Sequence, residues 1–188
     1  MTISINQLSS GMALNINNDI FLVGEYHHVK PGKGSSFVRV KLRNIKTDAV
    51  IERTFKSAEK LEDAPLEEKE LEYLYSSGDG FHFMDHNTYE QIELSSEDVG
   101  EGAKFLLENL TVTGLSLGKR ILKVILPIFI IAKITQTEPG IRGDSTKAGT
   151  KPARIETGTT IQVPLFVGID DVVKIDTRSG QYVERVKK

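Results

Sequence analysis

Cysteine and tryptophan are both absent from this chain of 188 residues. The lack of cysteine excludes disulfides and thiolate metal sites, and it agrees with a reducing compartment. The longest apolar run, Val124 to Ala132, is interrupted by Pro127, whereas a membrane-spanning helix needs about 20 apolar residues. We interpret the run as two buried strands that meet at the proline. Because residues 1–6 also lack the basic and apolar regions of a signal peptide, we expect a cytoplasmic protein with no membrane partner.

The charges are separated along the chain, although the formal net charge is only -2. Residues 26–56 carry a net charge of +6, residues 57–101 carry -12, and residues 102–188 carry +6. Two basic ends around an acidic middle indicate that both ends face a polyanion. The same separation is also common in proteins that bind no nucleic acid.

A β-hairpin is predicted near the N-terminus. Two β-rich runs, 20–28 and 37–42, flank a short loop that contains glycine, which is a hairpin signal. The tip of this loop has the sequence Pro31-Gly32-Lys33-Gly34. Proline suits a turn because it donates no backbone hydrogen bond, and the two glycines permit unusual backbone angles. Lys33 is therefore predicted at an exposed tip, although an arbitrary lysine in such a loop is usually only solvated.

The strand after the tip has a cationic face. Side chains alternate along a strand, so Arg39, Lys41 and Arg43 share one side while Val38, Val40 and Leu42 take the other side. With further strands at 13–16 and 50–55, this region predicts a first small β-barrel that ends in the acidic run 59–70. Beside the Lys33 loop, the cationic face is a candidate track for phosphates.

The rest of the chain predicts two further units of similar plan. Five short strands and one helical region, capped at 95–98 and continuing over 103–110, fit an OB-type barrel. The strands are predicted at 71–77, 81–85, 89–94, 111–115 and 121–126. Five more strands, with a long loop at 138–152, predict a second OB-type barrel at 128–135, 153–156, 160–164, 171–176 and 182–186. The fold class is therefore all-β, with domains at 1–64, 65–127 and 128–188.

None of the short motifs in the chain indicates an enzyme. The tip cannot be a nucleotide-binding loop, because that motif needs Gly-Lys-Ser/Thr before a helix and here Gly34 and a strand follow Lys33. The pairs His27-His28 and His82/His86 need not converge in β structure, whereas metal sites usually need three or four ligands. Arg142-Gly143-Asp144 matches an adhesion tripeptide, but its place in a long barrel loop favours binding of an oligonucleotide. We expect no catalytic residues and no metal.

The order and spacing of many short segments resemble bacterial elongation factor P over essentially the whole chain. The segments are Val29–Gly34, Phe37–Leu42, Thr54–Lys56, Tyr73–Tyr75, Phe83-Met84, Thr137–Asp144, Lys151–Ala153, Thr157-Gly158, Val163–Phe166 and Lys174–Gly180. The resemblance implies three small barrels, an SH3-like (KOW-type) barrel followed by two OB-folds, in an L-shaped outline like that of a tRNA. It also implies a monomer without a bound cofactor.

The resemblance implies roles for particular residues. Lys33 at the tip would be modified after translation, as in the branch that receives a β-lysyl group, and the tip itself (Pro31, Gly32, Lys33 and Gly34) would approach the tRNA end. Lys30 joins the cationic face as part of an RNA backbone track. The small-subunit loop of the family reads Gly-Asp-Thr, and here Arg142 precedes Gly143-Asp144-Ser145, which keeps the hydroxyl and lacks the methyl group. Tyr182 and Arg185 fall on family positions near the C-terminus.

The function implied by the resemblance is translational. The factor would bind the ribosome beside a peptidyl-tRNA that carries proline, contact mRNA at the exit site, and relieve stalling at consecutive prolines. A lysine-modifying enzyme would be a further partner. The alternatives are an elongation factor P-like paralogue, which typically lacks the Pro-Gly-Lys-Gly tip, a general single-strand-binding OB protein, and an enzyme that acts on RNA. A row of exposed aromatic residues would favour the single-strand binder, but aromatics make up only 7% of the chain.

Overall fold

Sixteen strands account for most of the computed structural model, which describes residues 2–30, 32, 36–139 and 149–186. The predicted all-β fold class is confirmed. Within this part of the chain, α-helix is confined to one short segment, α1, at Ser96–Val99, and 3₁₀-helix is found at Ile5–Gln7 and Gly100–Phe105.

The first sheet contains six strands. They are β1 (Thr2–Ser4), β2 (Ala13–Ile16), β3 (Asp19–Val29), β4 (Phe37–Asn44), β5 (Val50–Lys56) and β6 (Lys60–Asp63). The strand order is β1-β6-β2-β3-β4-β5, and neighbouring strands are antiparallel. Asn17 and Asn18 form the turn between β2 and β3, where both take a positive φ. Asparagine tolerates this conformation better than most residues.

The second and third sheets contain five strands each. The second has the order β11-β10-β7-β8-β9 and consists of β7 (Glu67–Ser77), β8 (Gly80–Asp85), β9 (Gln91–Ser95), β10 (Thr111–Leu117) and β11 (Arg120–Ile125). The third has the order β14-β13-β12-β15-β16 and consists of β12 (Phe129–Thr137), β13 (Thr150–Ile155), β14 (Thr160–Pro164), β15 (Val172–Asp176) and β16 (Gln181–Arg185). Its outermost strands contact each other, so the third sheet closes into a barrel.

The chain divides into two compact units. One comprises Met1–Glu68 and Gly114–Lys123, and the other comprises Lys69–Thr113 and Val124–Lys188. One buried cluster, which includes Leu14, Val38, Val40 and Phe55, forms the hydrophobic core of the first sheet. A second cluster contains the inward residues of the third sheet together with Phe105. The division into domains at 64/65 and 127/128 stays a prediction.

The helical region is shorter than the sequence predicts. The segment 103–110 was predicted as helix, but the 3₁₀-helix ends at Phe105, and Leu106 is already extended, with φ -72° and ψ 116°. Gly100 takes a positive φ of 64° and interrupts the segment after α1, and glycine is a poor helix former. Phe105 and Leu106, whose apolar side chains contributed to the helix prediction, are both buried in the protein core.

Strands also occur in the acidic run 59–70 and at the end of the predicted loop 138–152. β6 lies inside the acidic run 59–70, where Leu61 is buried while its neighbours Lys60 and Glu62 face solvent. β13 begins at Thr150, three residues before the predicted strand, and it includes Pro152. By contrast, β9 begins only at Gln91, because Tyr89 lies in a turn with a φ of 59°.

Candidate RNA interface

The long hairpin of β3 and β4 carries the predicted tip. Its register runs from Phe21↔Asn44 to Val29↔Phe37, so the two strands stay paired up to the loop. Near the end of β3, His27 and His28 are exposed. The paired part of the hairpin therefore ends at Val29 and Phe37, with the tip sequence between them.

A β-bulge interrupts this hairpin between Val23 and Tyr26. A Cβ atom on Gly24 would lie only 3.2 Å from the Lys41 carbonyl oxygen, so the close approach of the two strands favours glycine here. Bulges bend a strand and increase its twist. The bulge also places Glu25 opposite Lys41, where their side chains pair at 2.7 Å.

The described residues of the loop are Lys30, Gly32 and Ser36, while Pro31, Lys33, Gly34 and Ser35 lie outside the described residues. Lys30 and Gly32 are exposed. The base of the loop is fixed by Ser57, whose backbone N–H and hydroxyl both donate to the Ser36 carbonyl, at 3.1 Å and 2.5 Å. The end of β5 therefore holds the base of the loop in place.

The three predicted cations of β4 do share one face. Arg39, Lys41 and Arg43 are exposed, and the alternate residues Val38, Val40 and Leu42 are buried. Two cations of the row have carboxylate partners that the sequence reasoning missed. Arg39 Nε lies 3.2 Å from Glu52 Oε1, and Lys41 pairs with Glu25. The pKa of Lys41 is raised by its hydrogen bond with Glu25 and by the charge of that carboxylate.

The face keeps an excess of positive charge. Arg43 has no ion pair within the described part of the chain, and Lys56 lies opposite Phe37, which shares the side of Arg39. Glu52 was detectable in principle, because it lies directly opposite Lys41 and opposite residues of paired strands point to the same side. The row is thus a mixed face whose least compensated cation is Arg43.

The histidines form no site together. His27 lies opposite Arg39 and His28 lies opposite Val38, so they point to opposite sides of β3. His82 stacks on Tyr75 with ring centroids 4.5 Å apart. His86 instead lies between Glu72, at 3.0 Å, and Glu70, at 3.5 Å. Among the described residues, no three His, Cys, Asp or Glu side chains are grouped so that they could hold a metal ion.

The predicted C-terminal contacts lie on the third barrel. Tyr182 is half-buried and packs against the barrel core, so its ring also has a structural role. Arg185 is exposed, pairs with Asp171 at 3.4 Å, and has its guanidinium carbon 5.5 Å from the centre of the Phe166 ring. The predicted small-subunit loop residues, Arg142, Gly143, Asp144 and Ser145, fall outside the part of the chain that the structure describes.

Three sequence models of one protein family match successive parts of the chain. They are described as the elongation factor P KOW-like domain at residues 4–61, the elongation factor P OB domain at residues 66–124, and the elongation factor P C-terminal domain at residues 130–185. The chain belongs to the elongation factor P family. The expected fold of a KOW-like barrel followed by OB-type barrels is thereby confirmed, and the chain is a translation factor of this family.

Relatives with high identity span nearly the full chain. An elongation factor P of Caldanaerobacter subterraneus subsp. tengcongensis is 48% identical over 98% of this chain and 100% of the relative. An elongation factor P of Moorella thermoacetica is 46% identical over 97% of this chain and 99% of the relative. Both are named as elongation factors.

Solved structures share the fold over about two thirds of the chain. Eukaryotic translation initiation factor 5A from Methanococcus jannaschii matches with a TM-score of 0.52 and 23% identity, over 66% of this chain and 94% of that one. A translation initiation factor eif-5a family protein from Naegleria fowleri matches with a TM-score of 0.54 and 16% identity, over 67% of this chain and 98% of that one. No helix in the described residues is long and apolar enough to cross a membrane.

Proposed function

We propose that this member of the elongation factor P family binds the ribosome beside a peptidyl-tRNA and promotes peptide-bond formation at consecutive prolines. The observation that supports this most directly is the β3–β4 hairpin. It stays paired from Phe21 to Val29 and has exposed cations along one side. The buried core reaches Val38, opposite His28, and the sequence of the Lys33 loop follows where the paired strands end, at Val29 and Phe37.

The proposed mechanism is positional and leaves the chemistry to the ribosome. The secondary amine of proline is sterically constrained and makes a poor acceptor, so the geometry of attack limits the reaction. Holding two reactants in an attack geometry can lower a barrier by up to about 7–11 kcal/mol. An ammonium at the end of a long side chain, in contact with the end of the tRNA, needs to supply only a small part of that.

The remaining surface would recognise folded RNA by its shape and backbone. Lys30, Arg39, Lys41 and Arg43 would follow the tRNA phosphates, because folded RNA is recognised mainly through phosphates, 2′-hydroxyls and shape. Arg142, Gly143, Asp144 and Ser145 would contact the small subunit and mRNA at the exit site. Tyr182 and Arg185 would add a C-terminal contact. The protein would act as a monomer in the cytoplasm, without a cofactor and without catalysis of its own.

Modification of Lys33 is part of the proposal. A β-lysyl group on its ammonium would lengthen the side chain and keep positive charge at the tip. The expected modifying enzyme would act on an exposed loop, and the exposure of Lys30 and Gly32, which precede Lys33 in the loop, is compatible with such access. Intact-mass measurement of the natively expressed protein, with sequencing of the tip peptide, tests for the added group.

Substitution of Lys33 tests the function itself. We expect Lys33→Ala to abolish the stimulation of polyproline synthesis in a reconstituted translation assay, because the positioning ammonium is lost. The free energy of unfolding should change by no more than about 0.5 kcal/mol, as is usual for a surface substitution. Lys119→Ala, which removes an exposed lysine from the β10–β11 turn, is the matched control and should keep full activity. Full activity of Lys33→Ala would refute the proposed role.

A further inference from the structure

Lys151 is the one buried lysine among the described residues, with only 7% of its surface exposed. It occupies an inward position of β13, in line with the buried Ala153 and Ile155 and opposite the buried Val163. A lysine is almost never fully buried unless it is paired. The partner of its ammonium should therefore show what the residue does.

The ammonium of Lys151 donates a hydrogen bond of 2.6 Å to the backbone carbonyl of Glu138. Glu138 is the first residue after β12, and Lys151 is the second residue of β13. The contact therefore joins the two ends of the loop that connects these strands. It lies just beyond the last paired residues of the ladder, Thr137↔Ala153.

Pro152 explains why a side chain is needed at this point. If the register continued by one residue, it would place Pro152 opposite Glu138. Proline has no backbone N–H, so it cannot supply a ladder hydrogen bond to the Glu138 carbonyl. The neighbouring lysine supplies a donor to that carbonyl from inside the barrel. An ionised donor makes a stronger hydrogen bond than a neutral amide does.

Other contacts hold the same end of the barrel. The Thr137 hydroxyl donates to the Pro152 carbonyl at 3.0 Å. The backbone of Gly149 lies close to Leu165, because a Cβ atom added to this glycine would lie only 3.0 Å from the Leu165 side chain. The pKa of Asp171 is lowered, chiefly by the Gly168 N–H and further by Arg185 and by the charge of Lys151. The buried ammonium thus also has a carboxylate nearby.

We propose that Lys151 is a positioning residue. It replaces the ladder donor that Pro152 lacks, and it thereby fixes the point at which β12 and β13 separate and the loop that carries Arg142 to Ser145 begins. This inference rests on the proposed function, in which that loop contacts the small subunit. A methionine would fill the same space without the cost of burying a charge, and replacing buried ions by apolar residues is often neutral or stabilising. Stability alone therefore does not account for a lysine here.

Lys151→Met tests the clamp directly by NMR. We expect the carbonyl ¹³C resonance of Glu138 to shift as it loses its hydrogen bond. Amide exchange at Gln136 and Arg154, which face each other in the adjoining part of the ladder, should become about tenfold faster, because local opening no longer breaks a charge-assisted hydrogen bond. Lys133→Met is the matched control, since Lys133 lies on β12 but points outward to Asp170. Unchanged exchange in Lys151→Met, or the same acceleration in Lys133→Met, overturns the proposal.

A second substitution tests the exchange of donors. Pro152→Ala returns a backbone N–H to residue 152, so the double variant Lys151→Met, Pro152→Ala should regain most of the protection at Gln136 and Arg154. Failure to regain it shows that the lysine does not stand in for the ladder donor, and this overturns the account. If the single variant Lys151→Met does not fold, the test compares Pro152→Ala with the double variant Lys151→Met, Pro152→Ala. Similar exchange in those two proteins is expected, and a tenfold difference contradicts the proposal.

Ribosome binding separates this inference from the function on which it rests. Lys151→Met should raise the Kd for ribosomes about as much as Arg142→Ala and Ser145→Ala do together, and Lys133→Met should leave it unchanged. If the two loop substitutions do not weaken binding, the proposed role of the loop fails, while the NMR result still decides on the clamp. If the loop substitutions weaken binding and Lys151→Met does not, the positioning role is wrong.

Discussion

At the scale of single residues, the surroundings of a side chain decide its chemistry more than its type does. His82 and His86 lie four residues apart, yet one stacks on Tyr75 and the other lies between two carboxylates. The pKa of His86 is raised above its ordinary value, first by the hydrogen bond with Glu72 and further by Glu70, against partial burial. His86 is therefore a titrating group that contributes to folding and not to a metal site.

A pH dependence of stability follows from His86. A histidine with a raised pKa contributes stability that is fully present below its unfolded pKa of about 6.5 and is lost as the pH rises through the folded value. We expect His86→Gln to lower the thermal midpoint relative to wild type at pH 6, and this difference should shrink toward pH 9. Circular dichroism melts of both proteins across this range measure it.

The variant Glu72→Gln serves as a control for the cause. Removal of the carboxylate should lower the midpoint of the His86 ring titration that NMR follows. A destabilisation by His86→Gln that is the same at pH 6 and pH 9 would show that the ring acts through packing and not through its charge.

At the scale of elements, the alternation of β4 determines both its buried side and its cationic side. The pattern Phe-Val-Arg-Val-Lys-Leu-Arg predicts the observed burial at every position from Val38 to Arg43. Its neighbours modify the electrostatics of that face. Glu52 on β5 and Glu25 at the bulge of β3 compensate two of the three cations.

Unequal compensation predicts unequal roles for the two arginines of β4. Loss of a lysine or arginine that contacts a phosphate should weaken binding and reduce the salt dependence of binding by about one unit of slope. We expect this of Arg43→Ala, because Arg43 has no ion pair among the described residues. Arg39→Ala should have a smaller effect, because the guanidinium of Arg39 already faces Glu52 at 3.2 Å. The ribosome-binding constants of both variants, measured at several salt concentrations, test this difference.

Arg39 and Arg43 are a matched pair, since both are exposed arginines on the same face of one strand. Equal losses of affinity and equal slopes for the two variants would show that the intramolecular ion pair does not matter for binding. Unchanged affinity in both would remove β4 from the proposed RNA track.

At the scale of the whole molecule, the 3₁₀-helix at Gly100–Phe105 belongs to the core of the third sheet. Phe105 is buried in one cluster with Ile130, Ile155 and Val173. The hydroxyls of Thr157 and Thr159 both donate to the Lys104 carbonyl at 2.7 Å. The compact unit of Lys69–Thr113 and Val124–Lys188 is therefore tied together by side chains that the sequence pattern assigns to separate barrels.

This packing predicts that the unit unfolds as one. Phe105→Ala should cost about 3–5 kcal/mol, the usual range for truncating a buried phenylalanine. It should lower the unfolding midpoint of β8 and β9 of the second sheet together with that of the third sheet. Urea denaturation, followed by NMR signals from each sheet, measures both midpoints. Phe166→Ala, at a position that is 63% exposed, should cost under about 1 kcal/mol. Separate transitions of the two sheets in Phe105→Ala would contradict the cooperative unit.

The sequence by itself determined the fold class, most strands, and the hairpin with its cationic side. These features depend on alternation and turn chemistry, which are local, as Val38 to Arg43 and the Asn17-Asn18 turn show. The tertiary structure decided where Phe105 packs, which cations are compensated, and that Lys151 points inward to Glu138. Each of these depends on a partner that is distant in sequence, and the physical reason is that a buried or paired side chain is specified by what folds against it.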